Sequence, residues 1–134
     1  MNKPARLYLV VALATTMIAT VCVPAFAEPG ALDGKTFEGV FLERGKTRGD
    51  ADTLIFKDGR FRSTACDRYG YGEAPYKASV EGDVVRFETE TTSAKYGALK
   101  WKGWIRGDKL DATAMMMQDG KAPIENWVAA GLKR

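Results

Sequence analysis

From Lys35 onward, apolar and polar residues alternate in steps of two, and turn residues recur about every 8 to 15 positions. No apolar stripe at helical spacing runs longer than two turns. The pattern predicts strands over 35–44, 52–57, 60–66, 74–81, 84–92, 98–106, 109–117 and 123–132. Eight short strands joined by tight connections read as an antiparallel meander.

Three connections are short enough to dictate register: Asp58-Gly59, Gly82-Asp83 and Gly107-Asp108. The second sets Val80 opposite Val85, Ala78 opposite Phe87 and Tyr76 opposite Thr89, with Ser79–Arg86 and Lys77–Glu88 on the other face. The third sets Ile105 opposite Leu110, Gly103 opposite Ala112, Trp101 opposite Ala114 and Leu99 opposite Met116. Residues 93–97 then join the two hairpins with Glu90 facing Lys100, Glu88 facing Lys102 and Arg86 facing Trp104, a charged outer face with one expected cation–π pair. The opposite face carries Tyr76, Ala78, Val80, Val85, Phe87, Leu99, Trp101, Ile105, Leu110 and Met116, and a one-residue slip would exchange the two.

One dry face, eight strands and short connections predict an all-β, eight-stranded antiparallel up-and-down meander closing into a small barrel, with a two-sheet β-sandwich as the alternative. Strands of about ten residues or fewer imply a small cavity: Ala78, Ala112, Ala114 and Gly103 leave room, and Phe56, Phe87 and Trp101 take it back.

The first 27 residues stand apart from this pattern. Lys3 and Arg6 precede an apolar run from Leu7 to Val23, and Ala25-Phe26-Ala27 is a small-x-small cleavage pattern before Glu28. We read 1–27 as a signal peptide and 28–134 as one barrel domain, periplasmic or secreted, with no stable membrane span after cleavage. Loss of Lys3 and Arg6 takes 20 basic side chains to 18 against 17 acidic, so the net charge falls from +3 to +1. Basic and acidic residues are interleaved, which argues against nucleic acid as a partner. Cys66 is the one cysteine left once Cys22 goes with the leader, so no intramolecular disulfide is expected.

The chain has no histidine, which excludes Ser-His-Asp and Cys-His nucleophile pairs and His-ligated metal sites. No cofactor is expected, and an enzyme ranks behind two binding readings. In the first, the Tyr- and Gly-rich loop 67–74 lines a barrel mouth, with Arg62, Cys66, Arg68, Tyr69, Tyr71 and Tyr76 as ligand contacts suited to a small anionic or aromatic molecule. Against it, those tyrosines cap the core and Cys66 is a small buried hydrophobe or an intermolecular disulfide partner. In the second, Trp104, Met115, Met117 and Trp127 form an outer patch for a protein partner or a homodimer. The connection 118–122 is too long to settle the register of the last strand, on which that patch depends.

Other candidates have plainer readings. Met115-Met116-Met117 lacks a third thioether on one strand face for copper(I). The Arg-Gly-Asp triplets at 48–50 and 106–108 are turn chemistry, and Glu88 with Glu90 is a solvated ion-pair face rather than a glycosidase pair. Asp50 with Asp52 is the other closely spaced acid pair.

Leu32-Asp33-Gly34-Lys35-Thr36-Phe37, together with Trp101-Lys102-Gly103-Trp104 and Gly107-Asp108-Lys109-Leu110, resembles small exported bacterial lipocalin-like (calycin-type) barrels over nearly the whole mature chain. The resemblance implies a Gly-x-aromatic plug at the barrel base and carries little functional content. A weaker, local similarity links 53–92 to META-type domains through Thr53–Phe61, Ala65-Cys66, Tyr69-Gly70, Pro75-Tyr76 and Thr91-Thr92. That pattern expects Gly-Cys-Asn where this chain has Ala65-Cys66-Asp67, and a later second cysteine that is missing here.

Overall fold

A computed structural model describes residues 30–134; the leader predicted over 1–27, with Cys22, lies outside the described residues. The described chain forms eight strands, each hydrogen-bonded to its sequence neighbours, with the last paired to the first in a closed barrel. They are β1 (Thr36–Glu43), β2 (Asp50–Lys57), β3 (Arg60–Ser63), β4 (Ala74–Glu81), β5 (Val84–Ser93), β6 (Gly97–Arg106), β7 (Lys109–Met117) and β8 (Ile124–Leu132). The up-and-down barrel is therefore the architecture, and the sandwich is not.

Both hairpins adopt the expected register: Tyr76 faces Thr89 and Ala78 faces Phe87 across β4–β5, and Gly103 faces Ala112 across β6–β7. The β5–β6 ladder sets Glu88 against Lys102 and Glu90 against Lys100. Arg86 lies opposite Trp104, but its Nε donates to Glu81 Oε2 at 3.1 Å, so the carboxylate and not the indole takes the guanidinium. Val80 is exposed and Val85 half-buried, because β3 pairs with β4 only at Ala74 and Pro75 and leaves the rest of β4 without a strand on that side. In the Asp58-Gly59 turn both residues have positive φ (52° and 72°), the primed geometry whose twist suits a two-residue hairpin.

β3 is shorter than the pattern predicts. After Ser63 the chain leaves the sheet for a 3-10 helix, Thr64–Tyr69, closed by Gly70 at φ 80°. The cause lies in β2. Asp52, buried on the inner face, accepts hydrogen bonds from Ser63 Oγ (2.7 Å) and the Ala65 N–H (3.0 Å), while Thr64 Oγ1 accepts from the Thr53 N–H (3.0 Å). Side chains thus replace the ladder bonds that a longer β3 would have made. In consequence β3 and β4 share only two paired positions, Arg60–Pro75 and Phe61–Ala74.

The tight turns all fall at one end, which forms a closed base. Leu32 is fully buried there, and Asp33 takes the Gly59 N–H on its carboxylate. Above it the interior is filled with rings: Phe56 contacts Phe37, Phe61, Tyr76 and Phe87 at centroid distances of 5.1–6.1 Å, and Phe61 meets Trp101 at 4.9 Å. Burying side chains of this size is worth about 2 to 3 kcal/mol each, and among the described residues, whose cysteine is a buried free thiol, they carry the fold.

Candidate functional site

An up-and-down meander alternates its connections between two ends. With the two-residue turns at the base, the longer ones (44–49, 64–73, 94–96 and 118–123) gather at the other. Among them opens a cavity of about 560 Å³. Phe41, Leu99 and Met116 form its apolar floor with Cys66, Tyr71 and Asn126, and Phe41 rests edge-on against Trp101 at 5.9 Å. Below Trp101 the ring cluster closes the barrel, so the cavity is a mouth and not a through-channel.

The loops are tied to one another. Ser93 Oγ donates to the Tyr69 carbonyl (2.7 Å) and accepts from the Tyr96 N–H (3.3 Å), which holds two loops together and sets the Tyr69 and Tyr96 rings edge to face at 5.6 Å. Tyr71 is buried, with its hydroxyl donating to the Tyr96 carbonyl at 3.4 Å, and burial raises its pKa. Arg68 sits over the Tyr69 ring and pairs with Asp50 at 2.5 Å.

Charge at the rim is asymmetric. Lys46, Arg48 and Lys121 line the opening, and none of them has an ion-pair partner among the described residues. Of the lining carboxylates, Asp50 is taken by Arg68, which leaves Glu43. A concave, low-dielectric mouth with surplus cations concentrates anions.

Cys66, placed on the 3-10 helix rather than at a strand end, is 5% exposed. Burial pushes its thiol up to about 11, and the nearby Asp52 and Asp67 carboxylates add to the shift. It is a protonated floor residue at neutral pH, the opposite of an activated nucleophile.

Of the six expected ligand contacts, Cys66, Tyr69 and Tyr71 line the cavity and Arg68 braces its rim through Asp50. Arg62 does not: it projects outward and pairs with Asp67 at 2.6 Å. Tyr76 lies at the opposite end, where its hydroxyl accepts from the Leu32 N–H (3.0 Å) and donates to Asp33 Oδ1 (2.8 Å). The reason is that the chain descends alongside β3 before pairing, so β4 enters the ladder with Pro75 level with Arg60, near the base.

The outer patch is also revised. Trp104 and Trp127 are each 42% exposed and flank a shallow groove of about 400 Å³. Its other apolar walls are Val40, Leu42 and Ala129 from β1 and β8, where Val40 pairs with Ala129 and Leu42 with Trp127. Met115, between Lys100 and Glu125, and Met117, opposite Ala98, are half-buried and outside that groove.

Sequence reasoning passed over Phe41, Tyr96, Asn126 and the cations Lys46, Arg48 and Lys121. Loop parity would have found the cations and Tyr96, since alternate connections of a meander must share an end. No family model matches this chain, and no curated protein or solved structure matches it either.

Proposed function

We propose that this is an exported, non-enzymatic β-barrel that binds a small molecule in its mouth. The observation that carries the reading is the cavity of about 560 Å³ among the four long connections, a size in the usual range for small-ligand sites. The aromatic and cationic lining supports an anionic or aromatic ligand, and the export signal supports a periplasmic or secreted location. Missing histidine, a protonated Cys66 and the engagement of Asp50 and Asp52 in structural contacts favour binding over catalysis. The test is native mass spectrometry of the protein purified from an exporting host, before and after denaturation. Extra mass of a few hundred daltons, lost on denaturation, is expected. A bare polypeptide mass, even after incubation with an extract of the native envelope, would overturn the reading.

A second reading, a protein-interaction module, is favoured by one observation: two half-exposed tryptophans flank an apolar groove on the β1–β8 side. Under that reading Trp127→Ser with Leu42→Ser abolishes association with the partner, or with a second copy, in sedimentation runs and leaves the mouth intact.

A further inference from the structure

Asn126 is the least expected residue in the cavity wall. It lies on the inner face of β8, is 2% exposed, and donates through Nδ2 to the carbonyls of Ala114 (3.0 Å) and Ile124 (3.4 Å). Two carbonyl acceptors fix the orientation of the amide, since a flipped group would set Oδ1 against both oxygens. Oδ1 is therefore the atom left over. It accepts no hydrogen bond among the described residues, yet it is not sealed from solvent, and the residue lines the cavity. A buried amide oxygen held toward a cavity is a built acceptor for a ligand hydroxyl or N–H.

Three further features narrow the ligand. The floor beside Asn126 is apolar and aromatic, from Phe41, Leu99, Met116 and Tyr71. The ring cluster beneath Trp101 stops any long acyl chain from descending. At the rim, Lys46, Arg48 and Lys121 are free to take an anion. Asn126 sits two residues inside Ile124, where the rim loop begins, so about 7 Å of strand rise separates it from the end of β8. One benzene ring with a short acidic arm spans such a distance.

Resting on the small-ligand reading above, we propose that the cavity binds a single-ring aromatic acid bearing a hydroxyl or N–H at the far end of the ring. The donor bonds to Asn126 Oδ1 at the floor, the ring lies among Phe41, Met116 and Tyr71, and the carboxylate meets Lys46, Arg48 and Lys121. Discrimination follows from the buried acceptor, because a ligand without the donor strips water from Oδ1 and returns nothing.

The probe is 4-hydroxyphenylacetate, titrated by calorimetry and by amide and methyl NMR of the exported protein. Phenylacetate, 2-(4-hydroxyphenyl)ethanol and octanoate serve as comparisons. Saturable binding is expected, with movement of the Asn126 side-chain amide and Met116 methyl signals. Affinity should fall about tenfold when the ring hydroxyl is removed, and about tenfold in Lys46→Gln/Arg48→Gln/Lys121→Gln, whose exposed loop positions leave the fold intact. Equal affinity for phenylacetate, or an unchanged triple variant, would overturn the orientation. Preference for octanoate would overturn the aromatic class while a cavity ligand stands. Silence from all four probes refutes the inference, and the cargo measured by native mass spectrometry judges the broader reading separately.

Discussion

Tyr76 and Cys66 are inward-facing residues doing different work at opposite ends of the barrel. The Tyr76 hydroxyl joins the Leu32 N–H to the Asp33 carboxylate and so pins the base plug. Tyr76→Phe leaves that N–H without its partner and should cost about 1 to 3 kcal/mol, read from urea unfolding. Burial first, and the Asp33 hydrogen bond second, push the phenol from 10.0 up to about 12. The neutral phenol is the form the fold favours, so its contribution is complete below pH 10.0 and is lost as pH rises toward about 12. The stability gap between wild type and Tyr76→Phe should shrink across that window. Cys66 is raised from 9.0 to about 11, which alone cuts its thiolate fraction at pH 8 by about a hundredfold. Iodoacetamide at that pH should label the unfolded chain rapidly and the native protein at least about a hundredfold more slowly.

At the scale of elements, the mouth depends on where β3 stops. Asp52 caps the 3-10 helix that carries Cys66 and leads into Tyr69 and Tyr71. Asp52→Ala should cost about 2 to 4 kcal/mol and also speed Cys66 alkylation in the native state, because the helix loses its anchor while the rest of the barrel holds. Urea unfolding and labelling rates measured on one sample separate these two effects. Gly103 in β6 shows the complementary constraint. A Cβ there would lie 2.3 Å from Phe87 Cε1 and 2.9 Å from the Ala112 Cβ. Gly103→Val should therefore destabilise by about 3 kcal/mol or more through overpacking, with unfolding by circular dichroism as the check.

The whole molecule is closed by its two terminal strands, with Phe37 opposite Leu132 and the Lys133 N–H bonded to the Thr36 carbonyl. That seam joins the start of the described chain to its end, and its loop entropy must be met before closure stabilises anything. Refolding of the barrel should be slow for its size, with a main phase in the range of about milliseconds to seconds by stopped-flow tryptophan fluorescence. A microsecond main phase would contradict closure as the late step. The same closure explains the division between ends: tight turns seal the base, and every connection with length to spare goes to the mouth.

What the sequence alone determined is what strict alternation and two-residue turns can encode. Phe87, Trp101 and Leu110 had one possible register each, because a slip by one residue exchanges a dry face for a charged one. The β4–β7 hairpins, the charged outer face and the barrel itself were therefore legible. The tertiary structure alone decided what depends on residues distant in sequence. Asp52 reaches Ser63 and Ala65 only once β2 and β3 are paired, and that contact ends β3 three residues before its pattern runs out. The descent of the chain before Pro75 takes Tyr76 to the base, although Tyr69 and Tyr71, only a few residues earlier, belong to the mouth. Asn126 became visible only when closure fixed β8, since a six-residue connection carries no register of its own. Local spacing specifies which side of a strand a residue faces; closure specifies which end of the barrel it reaches and what it meets there.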